Sequence, residues 1–421
     1  MFRFTDNVIA QMTRECNCHC SYCYERGIDD AHWKGKRFTV ETFKQAFDSY
    51  LYYRCILGRI ENRCDWHFHG GEVLLLPFDE LKQMFDHIEK RKQMFPHISW
   101  CLQTNATLIT DEIAQYFAEH RMAIGFSFDG WSTEDRLPRD KTRELMIRLK
   151  DYHDRYGTDF FCLSVLTRKN MEYWFEDMRS VQEFVSGFGI NLLCADDTNE
   201  DLVPTPDDIW EFWFEPVLQS MLTDDPLRER GIRMGVEKAV QQLCFYSDDA
   251  LHGNKTGCFD RVCGFGSNMT SLDPDLYAYT CDKYLERGPH IDLKKKVSIF
   301  KRDFLGLQQA KSVIDHYQRV FKAEDELHCD TCPANWVCTG ECQAYNLSKF
   351  GEIRLNRDMC RIWVKAFDFV KDNLEEILLH NTLRLSGQIF GVNPQTIERL
   401  NRAGIRLVFD AESNTCRGER I

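Results

Sequence analysis

Cys16-Asn-Cys-His-Cys20-Ser-Tyr-Cys23-Tyr24 opens a chain of 421 residues, and its spacing sets the reading of everything after it. Cys16, Cys20 and Cys23 are separated by three and then two residues. Three thiolates on one short loop suit three irons of a cubane iron–sulfur cluster. The fourth iron is then left without a protein ligand and is able to bind a small molecule, which turns an electron carrier into a catalyst. Cys18 is a further thiol on the loop, and its side chain is expected to alternate away from the other three. The competing reading is a zinc knuckle, but zinc favours paired C-x2-C units with remote partners, and this loop has one such pair.

Further along, the cysteines return as Cys258-x4-Cys263-x17-Cys281 and then Cys329-x2-Cys332-x5-Cys338-x3-Cys342-x17-Cys360. Eight thiols suit two more cubanes of four ligands each, with a pair of zinc sites as the alternative. The chain has 19 cysteines, yet a disulfide scaffold is the poorer explanation. Disulfide-dense domains are usually small and secreted, and Met1-Phe-Arg-Phe-Thr shows no secretory pattern. Grouped cysteines in a long chain read as metal or cluster ligation, in a reducing and hence cytoplasmic setting. The remaining Cys55, Cys64, Cys101, Cys162, Cys194, Cys244 and Cys416 read mostly as core residues. A net charge of -13 argues against nucleic acid, whose phosphates need a basic field. No apolar run approaches membrane-spanning length.

Between residues 8 and 194, strand and helix patterns alternate. Strands are expected at Val8 to Met12, Asp65 to His69, Ile98 to Gln103, Ala123 to Phe128, Phe160 to Leu166 and Ile190 to Leu193. Helices are expected at Thr39 to Tyr53, Phe78 to Met94, after Thr110 as N-cap, Lys141 to Tyr156 and Met171 to Val185. That is an α/β protein whose connections favour parallel pairing, and six strands fall short of a closed eight-stranded barrel. A partial (β/α)6 barrel follows, with the cysteine loop, Gly70-Gly71-Glu72, Thr104-Asn105 and Asp129-Gly130 converging at the C-terminal rim. Residues 1–195 are taken as this barrel, 196–256 as a helical linker, 257–379 as the second cysteine domain and 380–421 as an extension. The extension holds a helix capped by Asn393, with Pro394 at its first position and Gly404 past its end. It is expected to pack on the barrel mouth or to bind a substrate peptide. His67 and His69 read as hydrogen-bonded rim histidines.

The C-x3-C-x2-C loop with Tyr22 resembles the radical S-adenosylmethionine (SAM) superfamily. Four later stretches match in the family's order. Phe68-His-Gly70-Gly71-Glu72 resembles the segment that meets the SAM ammonium, where glycines permit close approach and a carboxylate complements a cation. Leu102-Gln-Thr-Asn105-Ala-Thr-Leu108 resembles a strand end with Ala106 where Gly is usual. Gly125-Phe-Ser127-Phe-Asp129-Gly130 resembles the strand whose serine lies near the ribose, and Ser164-Val-Leu166 the strand flanking the adenine. An Arg contacting the SAM carboxylate is expected at Arg136 or Arg139.

The later cysteines resemble the SPASM extension, a loop-rich α+β domain with two auxiliary [4Fe-4S] clusters. By that resemblance Cys258, Cys263, Cys281 and Cys342 hold one cluster and Cys329, Cys332, Cys338 and Cys360 the other, making three with the Cys16, Cys20 and Cys23 site. Asp282 stands where related anaerobic sulfatase-maturating enzymes carry a proposed catalytic base; a loop-capping Asp is the alternative. The resemblance implies a 5′-deoxyadenosyl radical that abstracts hydrogen from a peptide or protein. The expected outcome is a two-electron oxidation, with a cross-link in a ribosomal peptide favoured. Formylglycine formation from Cys or Ser is the runner-up, and a non-catalytic multi-cluster electron carrier is the third reading. The core strand starts near residue 8, where many peptide maturases instead begin with a leader-binding domain. A flavodoxin or ferredoxin is the implied reductant.

Overall fold

A computed structural model describes residues 6–23, 35–56, 58–193, 200–247, 269–279, 281, 290–292, 328–334, 338, 357–386 and 388–421. Six parallel strands form its centre: β1 (Asp6–Gln11), β2 (Cys64–His69), β3 (Ile98–Thr104), β4 (Ile124–Ser127), β5 (Phe160–Leu166) and β6 (Gly187–Leu192). Between them run α1 (Val40–Ile56), α2 (Phe78–Lys92), α3 (Asp111–Glu119), α4 (Arg139–Tyr156) and α5 (Met171–Val181). Strands β2 to β5 alternate a buried helix-facing residue with a less buried one on the opposite, inner face. On β2 the helix-facing set is Cys64, Trp66 and Phe68, all fully buried. The Trp66 ring lies 4.6 Å from Phe47 of α1, and Phe85 of α2 stacks on Trp100 of β3 at 4.2 Å. Burial of such side chains is worth about 1.5–3 kcal/mol each.

The sheet does not stop at β1. Strands β8 (Met269–Leu272), β9 (Tyr277–Tyr279) and β10 (His290–Asp292) extend it, in the order β10-β9-β8-β1-β2-β3-β4-β5-β6. β8 runs parallel to β1, with Asn7 opposite Met269, whereas β9 and β10 are antiparallel additions. Among the described strands β6 and β10 do not pair, so the barrel stays open, as the count of six implied. The sequence division placed these residues in a separate domain, but their backbone belongs to the same sheet.

At the N-terminal end of the barrel Asp6 is buried against Arg54 of α1. Their Oδ2 and Nε lie 3.0 Å apart, and Arg59 adds a bond to Oδ1 at 3.2 Å. Arg54 also donates to the carbonyls of Arg59 and Asn62, which closes the loop below α1.

After β6 the chain forms α6 (Pro206–Ile209), a π-helical stretch (Trp210–Phe214) and α7 (Glu215–Ser220). Pro216 has no N–H to give Phe212, and the wider turn accommodates that loss. Then come α8 (Arg230–Cys244) and the short β7 (Phe245–Ser247). Near the C-terminus α9 (Arg357–Asp372) packs Trp363 on Phe214, 5.0 Å between rings. It is followed by α10 (Leu374–His380), β11 (Leu383–Arg384), β12 (Ile389–Val392), α11 (Pro394–Arg402), β13 (Ile405–Asp410) and β14 (Thr415–Arg420). The last strands make a sheet ordered β11-β14-β13, and β12 pairs with β7. Asn393 and Pro394 open α11, and Gly404 ends it at φ +72°, as the sequence indicated. This unit rests on α7, α8 and α10: Asn381 donates to Met221 O at 2.6 Å and Thr396 to Leu243 O at 2.7 Å. No described helix is long and apolar enough to cross a membrane.

Candidate cofactor site at the strand ends

The cysteine loop begins where β1 ends, and the parallel ladder carries on into it. Met12 N donates to His69 O, Gly71 N to Thr13 O and Glu72 N to Glu15 O, at 2.7, 2.7 and 2.9 Å. A Cβ on Gly70 would stand 2.2 Å from Thr13 O, and one on Gly71 would stand 2.4 Å from Glu15 O. Gly70 also has φ +130°. The glycines were expected to admit a ligand; here the group that approaches them is the cysteine loop itself.

Glu72 is fully buried, and its oxygens accept from Thr104 Oγ1 at 2.6 Å, Asn105 N at 2.7 Å and Leu74 N at 2.9 Å. Burial pushes its carboxyl upward, and these donors oppose the shift. Its observed task is to fix the end of β3. From there Asn105 Nδ2 reaches Asn17 Oδ1 at 2.7 Å and Cys16 Sγ at 3.9 Å, while Asn17 donates to Thr107 at 2.9 Å. Ala106 has φ +64°, which explains why glycine is usual there; alanine costs about 1 kcal/mol in that conformation.

A second clamp comes from the end of β4. Tyr22 OH donates to Asp129 Oδ2, and Arg136 donates to both, at 2.8 Å to the phenol and 3.1 Å to the carboxylate. Asp129 Oδ1 accepts from Val165 N at 2.8 Å. Ser21 adds a bond to Asp135 at 2.8 Å, and Asp135 is held by Lys169 at 2.9 Å. Of the two candidate arginines, then, Arg136 reaches the loop. Arg139 is exposed at the first turn of α4, with its backbone near Glu134. Ser127 faces the inner side and accepts from Gln103 at 3.1 Å. Leu166 does not face the site: it is fully buried on the helix side of β5, and its neighbour Val165 is the one packed beside the loop. The alternation of β5 carried that information, since Phe161, Leu163 and Val165 share the inner face.

Cys20 and Tyr22 sit in a small apolar cluster with Leu193, Leu202 and Val203, bordered by Cys18 and Cys23. Cys18 does not turn away from the other thiols. Its thiol hydrogen-bonds Cys16, and its N–H donates to Cys16 Sγ at 3.4 Å. The Cys18 contact brings the Cys16 thiol down to about 6. No three described His, Cys, Asp or Glu side chains converge on one metal ion. A cubane takes each thiolate on a different iron, so its ligands stand apart. None of the described cysteines is in a disulfide, and Cys16 receives two donors suited to a thiolate, so the donor set fits a cluster.

In the second array Cys329 opens a 3-10 turn, and Cys332 N donates back to Cys329 O at 3.2 Å. The thiols of Cys338 and Cys360 meet by hydrogen bond, which lowers Cys360 to about 7. That joins two members of the proposed four-thiol set. Cys281 is half-buried just beyond β9. Cys258, Cys263, Cys342 and Asp282 lie outside the described residues, as does Tyr24.

Sequence reasoning named His67 as a hydrogen-bonded histidine but missed its pairing with Cys101 on the inner face. His67 contacts Asn7 Oδ1 through Nε2 at 3.4 Å and Cys101 Sγ through Nδ1 at 3.1 Å. Burial pushes His67 down to about 4 and Cys101 up to about 12, so both are neutral near pH 7. Cys101 is therefore a hydrogen-bonded inner-face thiol rather than a core filler. Cys64, Cys162, Cys244 and Cys416 are core residues as expected, whereas Cys55 is exposed.

Residues 11–177 match the radical SAM superfamily. The chain is 22% identical over 377 residues to a cysteine-type anaerobic sulfatase-maturating enzyme of Clostridium perfringens, covering 84% of this chain and 93% of that one. It is 23% identical to the radical SAM cyclopropyl synthase TigE of Paramaledivibacter caminithermalis, over 84% of this chain and 71% of the other. An uncharacterised protein of Methanocaldococcus jannaschii is 28% identical over 45% of this chain, a match spanning 62% of that relative's length. The structure of native anSMEcpe with bound AdoMet and Cp18Cys peptide superposes with a TM-score of 0.65 at 19% identity, over 88% of this chain and 98% of the other. Family match, fold and thiol-bearing loop agree, and residues 11–177 form a radical SAM domain.

Proposed function

We propose that this protein is a radical SAM enzyme that oxidises a peptide or protein side chain by two electrons, most simply to form a cross-link in a ribosomal peptide. The observation that carries this reading is the cysteine loop, pinned to the ends of β2, β3 and β4 with its thiols at the rim of an open barrel. When bound, a cluster on Cys16, Cys20 and Cys23 together with SAM supplies a carbon radical that takes a hydrogen atom from substrate. The protein's own share is orientation. Tyr22, Asp129 and Arg136 fix one side of the loop, and Glu72 through Asn105 fixes the other. Gly70, Gly71 and Ser127 are assigned to the SAM pocket by their place at the strand ends. Cys329, Cys332, Cys338 and Cys360, with Cys258, Cys263, Cys281 and Cys342, are assigned to two auxiliary clusters that accept the second electron. Asp282 is assigned the substrate proton, and a flavodoxin or ferredoxin the supply of electrons.

Formylglycine formation is the second reading, favoured by the similarity to a sulfatase-maturating enzyme along most of the chain. Mass spectrometry of a peptide encoded beside this gene and co-expressed with it separates the two. Loss of two hydrogens supports a link; exchange of cysteine sulfur for oxygen supports formylglycine. Reduced, reconstituted protein that makes no 5′-deoxyadenosine from SAM overturns both and leaves an electron carrier.

A further inference from the structure

We propose that the protein self-associates through the outer edge of β13, two copies pairing antiparallel about Val408. β13 is the terminal strand of its sheet among the described residues, and its six residues are Ile405-Arg-Leu-Val-Phe-Asp410. Arg406, Phe409 and Asp410 are exposed, and Leu407 and Val408 are half-buried. Apolar edge strands of this length are templates for pairing unless charge, proline or a bulge blunts them. β13 carries neither proline nor bulge.

The strand is complementary to itself. A two-fold axis through Val408 sets Arg406 against Asp410 of the second copy, twice. It also sets Leu407 against Phe409, twice. Opposed residues in an antiparallel pair share a face. The charged pairs therefore lie on the solvent side with Val408, where Arg406 already meets Glu419 at 2.6 Å. The apolar pairs lie on the side of Ile405, which is buried against α10. A slip by one residue sets Arg406 against Phe409 and turns the apolar set to water, so the register is specified.

The surface beside the strand points the same way. Val392 and Phe409 are exposed large apolar side chains, 44% and 37% exposed. Val392 pairs with Phe245 across the β7–β12 ribbon, and the buried Phe245 ring lies 5.6 Å from Phe409. The two thus flank one buried ring beside an edge that no described strand covers. The occupant is a second copy, because the edge supplies its own charge partners in an isologous register.

The test is the mass of the anaerobically purified full chain by light scattering over a concentration series. A dimer is expected. Val408→Lys sets two ammonium groups face to face and should weaken dimerisation at least about tenfold. Arg406→Glu sets a carboxylate against Asp410 of the second copy, twice, and should do the same. Circular dichroism checks that both variants keep the fold. A monomeric wild type sinks the proposal, as does a dimer indifferent to both substitutions. A monomer whose β13 edge instead takes an extended peptide also sinks it. None of these readouts depends on the chemistry proposed above.

Discussion

Two buried Asp–Arg networks sit at opposite ends of the same barrel. At the N-terminal end Asp6 meets Arg54 and Arg59, and Arg54 closes on the carbonyls of Arg59 and Asn62. At the C-terminal end Asp129 meets Arg136, and both meet Tyr22 of the cysteine loop. The chemistry is alike, but what each network holds is not. The first ties a strand start to a helix end. The second ties a strand end to the loop that carries the thiols. In parallel α/β sheets the strand C-termini are where function gathers, and the opposite face reads as stability.

The largest expected effect breaks the lower network. Asp6→Asn leaves Arg54 buried without its counter-charge, a loss of about 3–5 kcal/mol. Thermal or denaturant unfolding measures it, and iron per folded chain should not change. A third buried carboxylate sharpens the comparison. Glu229 has no arginine partner among the described residues; it accepts from Gly231 N at 2.9 Å and Ile232 N at 2.6 Å. Burial raises its carboxyl to about 7. The folded value lies above the ordinary one, so this group's contribution to stability is complete in acid and is lost as pH rises through about 7. Glu229→Gln removes that slope. It should match wild type near pH 5 and exceed it by on the order of 2–3 kcal/mol near pH 8. Parallel stability curves from pH 5 to 8 would show that the carboxyl is not shifted.

Smaller effects should appear at the upper end, where loop order rather than global stability is at stake. Gly71→Ala brings a Cβ to 2.4 Å from Glu15 O and displaces the loop. The local cost is about 1–3 kcal/mol. Iron and sulfide should fall by about one third, one cluster of the proposed three, while the melting transition moves little. Tyr22→Phe removes a single phenol from the Asp129–Arg136 clamp, about 1 kcal/mol. It should loosen SAM binding slightly, measured by calorimetry, with iron content kept. If Tyr22→Phe unfolded the protein and Asp6→Asn did not, the assignment of the two ends would be reversed.

Much of the barrel was legible because its strands alternate cleanly. Cys64-Asp-Trp-His-Phe-His69 already shows which residues meet helices and which face inward. The same alternation, followed strictly, puts Val165 on the inner face and Leu166 on the helix side. β8, β9 and β10 were not legible, because strands of four, three and three residues are too short to show a period. Nor could spacing show that Cys18 turns toward Cys16, since a loop has no fixed alternation. Spacing also could not show that Arg136 lies against Tyr22 whereas Arg139 begins a helix.

The parallel seam between β1 and β8 has a consequence for synthesis on the ribosome. Asn7 finds its partner Met269 only after some 260 further residues have been made. At about 5–20 residues per second, that is roughly ten seconds to a minute during which one flank of the first strand waits for its neighbour. The thiol loop is thus translated early, while the strand that flanks β1 is made much later.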